Sequence, residues 1–345
     1  MHYCCPYFCK GVSLKFNPFM ESFEPHWGVP GGVAQTIIGS QLRDKVLPCP
    51  PRIRHELHLA EQGRAILYEI EAKDDTLPIV LLAHGMGGCS ESRYMKRIST
   101  KLWLRGYGVF LINQSGCGPG MGLSPRMWHG GSSDDLAKMI EFVLQRYPGK
   151  SLVPVGFSLS GNVLLKYLGE GRKIPENILA PLAVNPPVDL RVASAIISRK
   201  WSCALFNQYY MRLIRNQAVA LVRQFPSALS PLKNLKTIWD FDVSYTAPAG
   251  GFKDVDDYYD RSSSRHYLKG IDIPTGILSA VDDPFIPGNL FDQIAMSEKV
   301  TLCKPESGGH MGYISRRATP HGDRRWMDYV VLEWIRHLHA VENQL

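Results

Sequence analysis

Val155-Gly156-Phe157-Ser158-Leu159-Ser160-Gly161 is the stretch on which the reading of this chain turns. An apolar run, Leu152 to Val155, leads into it, and a run of good helix formers, Asn162 to Leu168, leads out. The small residues Gly156, Ser160 and Gly161 let a strand turn sharply into a helix without a side-chain clash. Ser158 is left at the apex, where the amide dipoles of the helix N-terminus point at its oxygen. The pattern is that of a nucleophile elbow, G-x-S-x-G, with Ser160 in place of the second glycine and Gly161 one position late. Ser158 is therefore the candidate nucleophile.

Outward from the elbow the chain keeps one rhythm. Pro78 to Ala83, Tyr107 to Ile112, Ile178 to Val184, Thr275 to Ala280 and Lys299 to Leu302 are short apolar runs, as expected of strands buried on both faces. Helical stretches separate them. One runs from Glu91 to Arg105 and is stopped by Gly106. A second runs to about Tyr147, capped by Ser132 or Ser133, with Asp134 and Asp135 in its first turn. The last runs from Arg324 to about Ala340, with Trp326, Val330, Val331 and Trp334 on one face. A strand pair, Ile53 to Leu59 and Arg64 to Glu71, precedes the series. This alternation predicts an α/β fold: a mostly parallel central sheet, helices on both faces, and functional loops at the carboxyl ends of the strands.

Two regions break the rhythm. Residues 1–52, rich in Pro, Gly and aromatics, read as an N-terminal arm packing on a domain that occupies 53–345. Within that domain, about 190–269 reads as a helical insertion, with a long amphipathic stretch from Ile196 to Phe225 and a turn-rich stretch from Pro226 to Asp260. Such an insertion either covers the site as a lid or clads the sheet.

Three further loops carry chemistry, each at the end of a predicted strand. His84-Gly85-Met86-Gly87-Gly88 offers backbone to an incoming group, and the N–H groups of Met86 and Leu159 are the candidate oxyanion donors. His84 itself reads as a brace for that loop. Asp282-Asp283-Pro284-Phe285-Ile286-Pro287 ends a strand in two acids; Asp283 is the candidate to orient a histidine, with Asp282 the alternative. Glu306-Ser307-Gly308-Gly309-His310 puts His310, the candidate base, on a glycine-flanked loop. The chain order is Ser…Asp…His.

Composition narrows the class. In 345 residues, 45% are hydrophobic and 21% charged, which excludes fibrous and disordered chains. No apolar run is long enough for a transmembrane helix, and Met1 to Phe16 does not read as a secretory signal. The eight cysteines follow no disulfide framework, so reduced thiols and a cytoplasmic location are expected. Cys89 and Cys117 read as small loop residues. A Cys5-x-x-x-Cys9 zinc pair lacks matching ligands, so no metal and no cofactor are expected. The net charge of +7 reads as a scattered solvated surface, and no nucleic-acid motif accompanies it.

Taken together, these residues resemble the YheT-like α/β-hydrolase family, whose members include lipid-active hydrolase-domain proteins. The resemblance also rests on Ala34-Gln35-Thr36-Ile37, Ser92-Arg93-Tyr94, Asn113 to Gly118, Asp240-Phe241-Asp242, Thr246-Ala247-Pro248 and Tyr258-Tyr259, and covers the chain from about Phe23 onward. It implies a serine hydrolase that cleaves carboxylic esters, of lipids or acylglycerols, through Ser158, His310 and Asp283 and an acyl-enzyme. The same triad would also serve an acyltransferase. The chain departs from the family at Ser160, where glycine is usual, and at Val33, Gln62 and Ser115, where His, Asp and Arg are usual. Ser160 is the feature that favours a weakened elbow in a binding protein. Trp201, Phe206, Tyr209, Tyr210, Met211, Leu213 and Ile214, interleaved with Lys200, Arg212 and Arg215, read either as core packing or as an apolar lid with a basic rim in peripheral contact with a membrane.

Overall fold

The apolar runs assemble into one eight-stranded sheet, in a computed structural model that describes residues 21–43, 47–60, 62–230 and 236–342. The Cys5–Cys9 pair and the first part of the arm lie outside those residues. The strands are β1 (Ile53–His58), β2 (Arg64–Ile70), β3 (Ile79–Ala83), β4 (Gly108–Asn113), β5 (Leu152–Phe157), β6 (Leu182–Val184), β7 (Thr275–Leu278) and β8 (Val300–Cys303). Their order across the sheet is β1-β2-β4-β3-β5-β6-β7-β8. β1 pairs antiparallel with β2, and β2 antiparallel with β4; every other pair is parallel. β6 is shorter than the predicted 178–184, because Ile178 makes only an isolated bridge to Leu152.

Burial on both faces explains the unbroken apolar runs. Leu81 and Phe110 face one core with Leu136, Met139 and Leu164. Leu82 and Leu111 face the other with Met95, Ile98 and Val330. Helices α3 (Ser133–Arg146) and α4 (Leu159–Gly169) therefore clad one face, and α2 (Arg93–Leu104) and α10 (Trp326–Glu342) the other. Each fully buried Leu or Ile contributes about 1.5–3 kcal/mol. α2 and α10 are also clamped by charge: Asp328, fully buried, receives Arg97 at 2.5 Å and Lys101 at 2.7 Å. Burial alone would raise the Asp328 pKa, but the two cations hold it down at about 2. Ser132 stands at the α3 N-cap without capping it; its hydroxyl accepts from the His129 N–H instead.

The arm contains a helix that periodicity did not predict, α1 (Gly31–Gln41). It lies against the loop that carries His310. The insertion is helical but interrupted. α5 (Leu190–Arg199) stops where Lys200 turns extended, a short 3₁₀ turn follows at Trp201–Cys203, and α6 (Ala204–Gln224) resumes. The expected single helix over 196–225 is thus two. α7 (Ile238–Phe241), a π turn (Asp242–Thr246), α8 (Ala247–Ala249) and α9 (Val255–Ser262) complete the region. Among the described residues, no helix is long and apolar enough to cross a membrane.

Candidate active site

The turn from β5 into α4 puts Ser158 in a backbone conformation that side chains rarely adopt, φ 51° and ψ −121°. Its N–H donates to the Val184 carbonyl, and its carbonyl accepts from Gly161. Gly156 makes the turn feasible: a Cβ there would meet the Ser160 carbonyl oxygen at 2.5 Å. Ser160 fits without displacing anything. Its buried hydroxyl donates to the His84 carbonyl at 2.5 Å, tying the elbow to the loop after β3.

Three loops at the carboxyl ends of the strands bring Ser158, His310 and Asp283 together. His310 Nδ1 lies 2.8 Å from Asp283 Oδ2, and His310 Nε2 lies 2.9 Å from Ser158 Oγ. A carboxylate only accepts, so Nδ1 carries the proton and Nε2 is left to accept from the serine hydroxyl. Asp283 is almost fully buried and well supplied with donors. Its Oδ1 accepts from the Phe285 and Ile286 N–H groups, and its Oδ2 also accepts from Asn185 Nδ2 at 2.8 Å. Asp282 does not reach the imidazole; it accepts from the Gly309 N–H at 2.8 Å and holds the backbone beside His310.

Met86 and Leu159 both line the cleft with Ser158 and His310. Leu159 is the first residue of α4, where an N–H has no acceptor within its own helix. The loop bearing Met86 is fixed from below. The Gly85 N–H donates to the Tyr94 hydroxyl, and His84 donates from Nδ1 to Gly85 and accepts at Nε2 from Gln114. Burial pushes the His84 pKa down to about 4, so the ring is neutral and serves as a brace. Cys117 is buried, accepts from Trp128 Nε1, and is pushed up to about 12 by burial, which makes it an inert thiol.

Sequence reasoning missed three contributors. Asn185, at φ 46° just past β6, bridges Asp283 and the Gly309 carbonyl. Thr36 of α1 accepts from the His310 N–H at 2.8 Å. Gln35 of α1 is fully buried and exchanges hydrogen bonds with the Ile314 backbone. Gln35 and Thr36 stood in the Ala34-Gln35-Thr36-Ile37 motif of the arm; an Asn directly after a strand and before Pro186-Pro187 was the available signal for the third.

A cleft, partly open to solvent, leads from Ser158 under the inserted helices. Its walls are mostly apolar, including Trp128, Ile197, Ile214 and Phe285. A polar cluster interrupts them: Asp242 on the π turn accepts from the Tyr259 hydroxyl at 2.9 Å, and Ser194 lies 2.8 Å from that hydroxyl. Burial pushes the Asp242 carboxyl up to about 7 against the hydrogen bonds of Thr246, Tyr259 and Ser194.

Comparison with known proteins agrees with the fold. The family model described as alpha/beta hydrolase fold matches residues 78–316. A monoacylglycerol lipase of Saccharomyces cerevisiae is 28% identical over 277 residues, 77% of this chain and 60% of that protein's length. The putative esterase YheT of Escherichia coli is 26% identical over 92% of this chain and 95% of its own, in keeping with the YheT-like resemblance. Among solved structures, an esterase of Pyrococcus furiosus superposes with a TM-score of 0.55 at 14% identity, covering 86% of this chain and 99% of that one, which speaks for the fold.

Proposed function

The chain belongs to the alpha/beta hydrolase family and is a carboxylic ester hydrolase; we propose that it cleaves lipid esters through a Ser158–His310–Asp283 triad and an acyl-enzyme. The observation that carries this reading is the unbroken relay from Ser158 Oγ to His310 Nε2 and from His310 Nδ1 to Asp283. In the proposed reaction His310 takes the Ser158 proton as the oxygen attacks the ester carbonyl. The N–H groups of Met86 and Leu159 hold the oxyanion. His310 then protonates the departing alcohol and activates the water that releases the acyl group. Asp283 keeps the proton on Nδ1 and stabilises the imidazolium. An apolar cleft accommodates an acyl chain, and the yeast relative's name supports an acylglycerol or related lipid as substrate. The cytoplasm is the compartment proposed for this activity, since Cys49, Cys89, Cys117, Cys203 and Cys303 are all free thiols.

The test is covalent labelling by a fluorophosphonate probe together with hydrolysis of p-nitrophenyl esters of rising chain length. Ser158→Ala should abolish labelling and lower kcat by at least about 10⁴-fold. Labelling that persists in this variant, or hydrolysis at the parent rate, would overturn the assignment.

A further inference from the structure

The charge of this chain is not scattered. Residues 190–239 hold eight cations and no Asp or Glu, whereas the whole chain holds 39 Lys and Arg against 32 acids. Outside this segment the balance is therefore 31 against 32, and the entire positive excess belongs to α5, α6 and the stretch that leads from α6 into α7. On the outer side of the same elements Trp201, Leu205 and Tyr209 recur every four residues, one face of a helical run, and are 88%, 71% and 55% exposed. Arg199, Lys200 and Arg212 are exposed beside them. Their neighbours Phe206, Met211 and Ile214 are buried, so core packing accounts for the inner face only. That inner face, through Tyr210, Ile214 and Gln217, forms a wall of the cleft.

We propose that the outer face of this helical cover, centred on Trp201, Leu205 and Tyr209, docks on an anionic lipid surface. Apolar and aromatic side chains inserted at the headgroup boundary and flanked by exposed cations, here Arg199, Lys200 and Arg212, are what such a surface recognises; Arg191 of the same segment is already paired with Asp256 of α9. A second copy of this chain fits less well, because the same cationic face would meet itself across a two-fold axis. Docking here sets the cleft between the lipid and Ser158. Such docking rests on the lipid-ester reading for its purpose, but it is measured without catalysis.

The experiment is flotation of the full chain with vesicles of phosphatidylcholine alone and of three parts phosphatidylcholine to one part phosphatidylserine. The chain should float with the anionic vesicles, fail to float with the neutral ones, and be released by salt. The variant W201S/L205S/Y209S should lose flotation. The variant R199Q/K200Q/R212Q should bind about 100-fold more weakly, at about 1 kcal/mol per cation. Both should hydrolyse p-nitrophenyl acetate at the parent rate, which shows that they are folded. Equal flotation with both vesicle types, or parent-level flotation by either variant, would overturn the proposal. So would a dimer in light scattering that W201S/L205S/Y209S dissolves, since the face would then cover a second copy. Flotation without any esterase activity would strike the reading of Ser158 and leave the docking intact.

Discussion

At the scale of single residues, the site depends on groups that never meet a substrate. Asn185 gives Asp283 a third kind of donor, beside two backbone N–H groups and the imidazole. Asn185→Gly keeps the positive φ accessible and removes only the amide. A hydrogen bond to a charged group is worth about 1.5–3 kcal/mol, so kcat on a p-nitrophenyl ester should fall about 10–100-fold with KM little changed. An unchanged kcat would mean the backbone donors alone position the carboxylate. Ser160 was the departure that favoured a dead elbow, yet its hydroxyl anchors the His84 carbonyl. Ser160→Gly, the residue usual in the family, should therefore slow hydrolysis a few-fold and lower Tm by a few degrees; a faster and more stable variant would show that the serine is a burden. The sequence marks Asn185 only as an Asn after a strand; its partner Asp283 lies 98 positions away, and no local pattern reports a contact of that kind.

At the scale of elements, what could be read from sequence followed burial. β3, β4 and β5 are buried on every residue, and continuous apolar runs announce such strands. α1 announces nothing, because the residues it buries are Gly32 and Gln35 rather than an apolar stripe. It docks by backbone approach and hydrogen bonds, and a Cβ on Gly32 would sit 1.7 Å from the Asp282 carbonyl oxygen. Gly32→Ala should therefore push α1 off the His310 loop and slow fluorophosphonate labelling more than Thr36→Val, which deletes a single hydrogen bond to the His310 N–H. Labelling of Gly32→Ala at the parent rate would show that the helix is ornamental. The break between α5 and α6 was equally silent: amphipathic periodicity runs across it with no Pro or Gly at the turn. On the far face, Asp328→Asn should take from the buried Arg97 and Lys101 the carboxylate they share, leaving Lys101 paired with Asp323 at 2.6 Å, and cost about 3 kcal/mol, read as a drop in the urea midpoint.

At the scale of the whole molecule, pH acts through buried groups outside the relay. Burial holds His84 near 4, and with Arg126 and Lys166 holds His129 near 3, whereas both would titrate near 6.5 once unfolded. Between pH 6.5 and about 4 each therefore takes up a proton on unfolding, and acid destabilises the fold. Asp242 works in the opposite sense: raised to about 7 when folded, it releases a proton on unfolding between about pH 4 and 7. These three groups together take up about one proton on unfolding, so their share of stability should rise by about 1.4 kcal/mol per pH unit across that window. Asp242→Asn should roughly double the slope in urea titrations run from pH 4.5 to 6.5; an unaltered slope would mean that Asp242 is ionised in the fold. The overall layering was legible from strand–helix alternation, but the grip of α1 on the segment after β8 was not, since nearly the full length of the chain separates them. That separation has a consequence during synthesis. Residues 32–36 leave the ribosome well before the His310 loop that they hold, with 274 positions between Thr36 and His310. A nascent chain can shape its elbow at Ser158 while still lacking both the imidazole and the surface that receives the arm. It stays chemically silent until the His310 loop, 152 residues after the elbow, has been made.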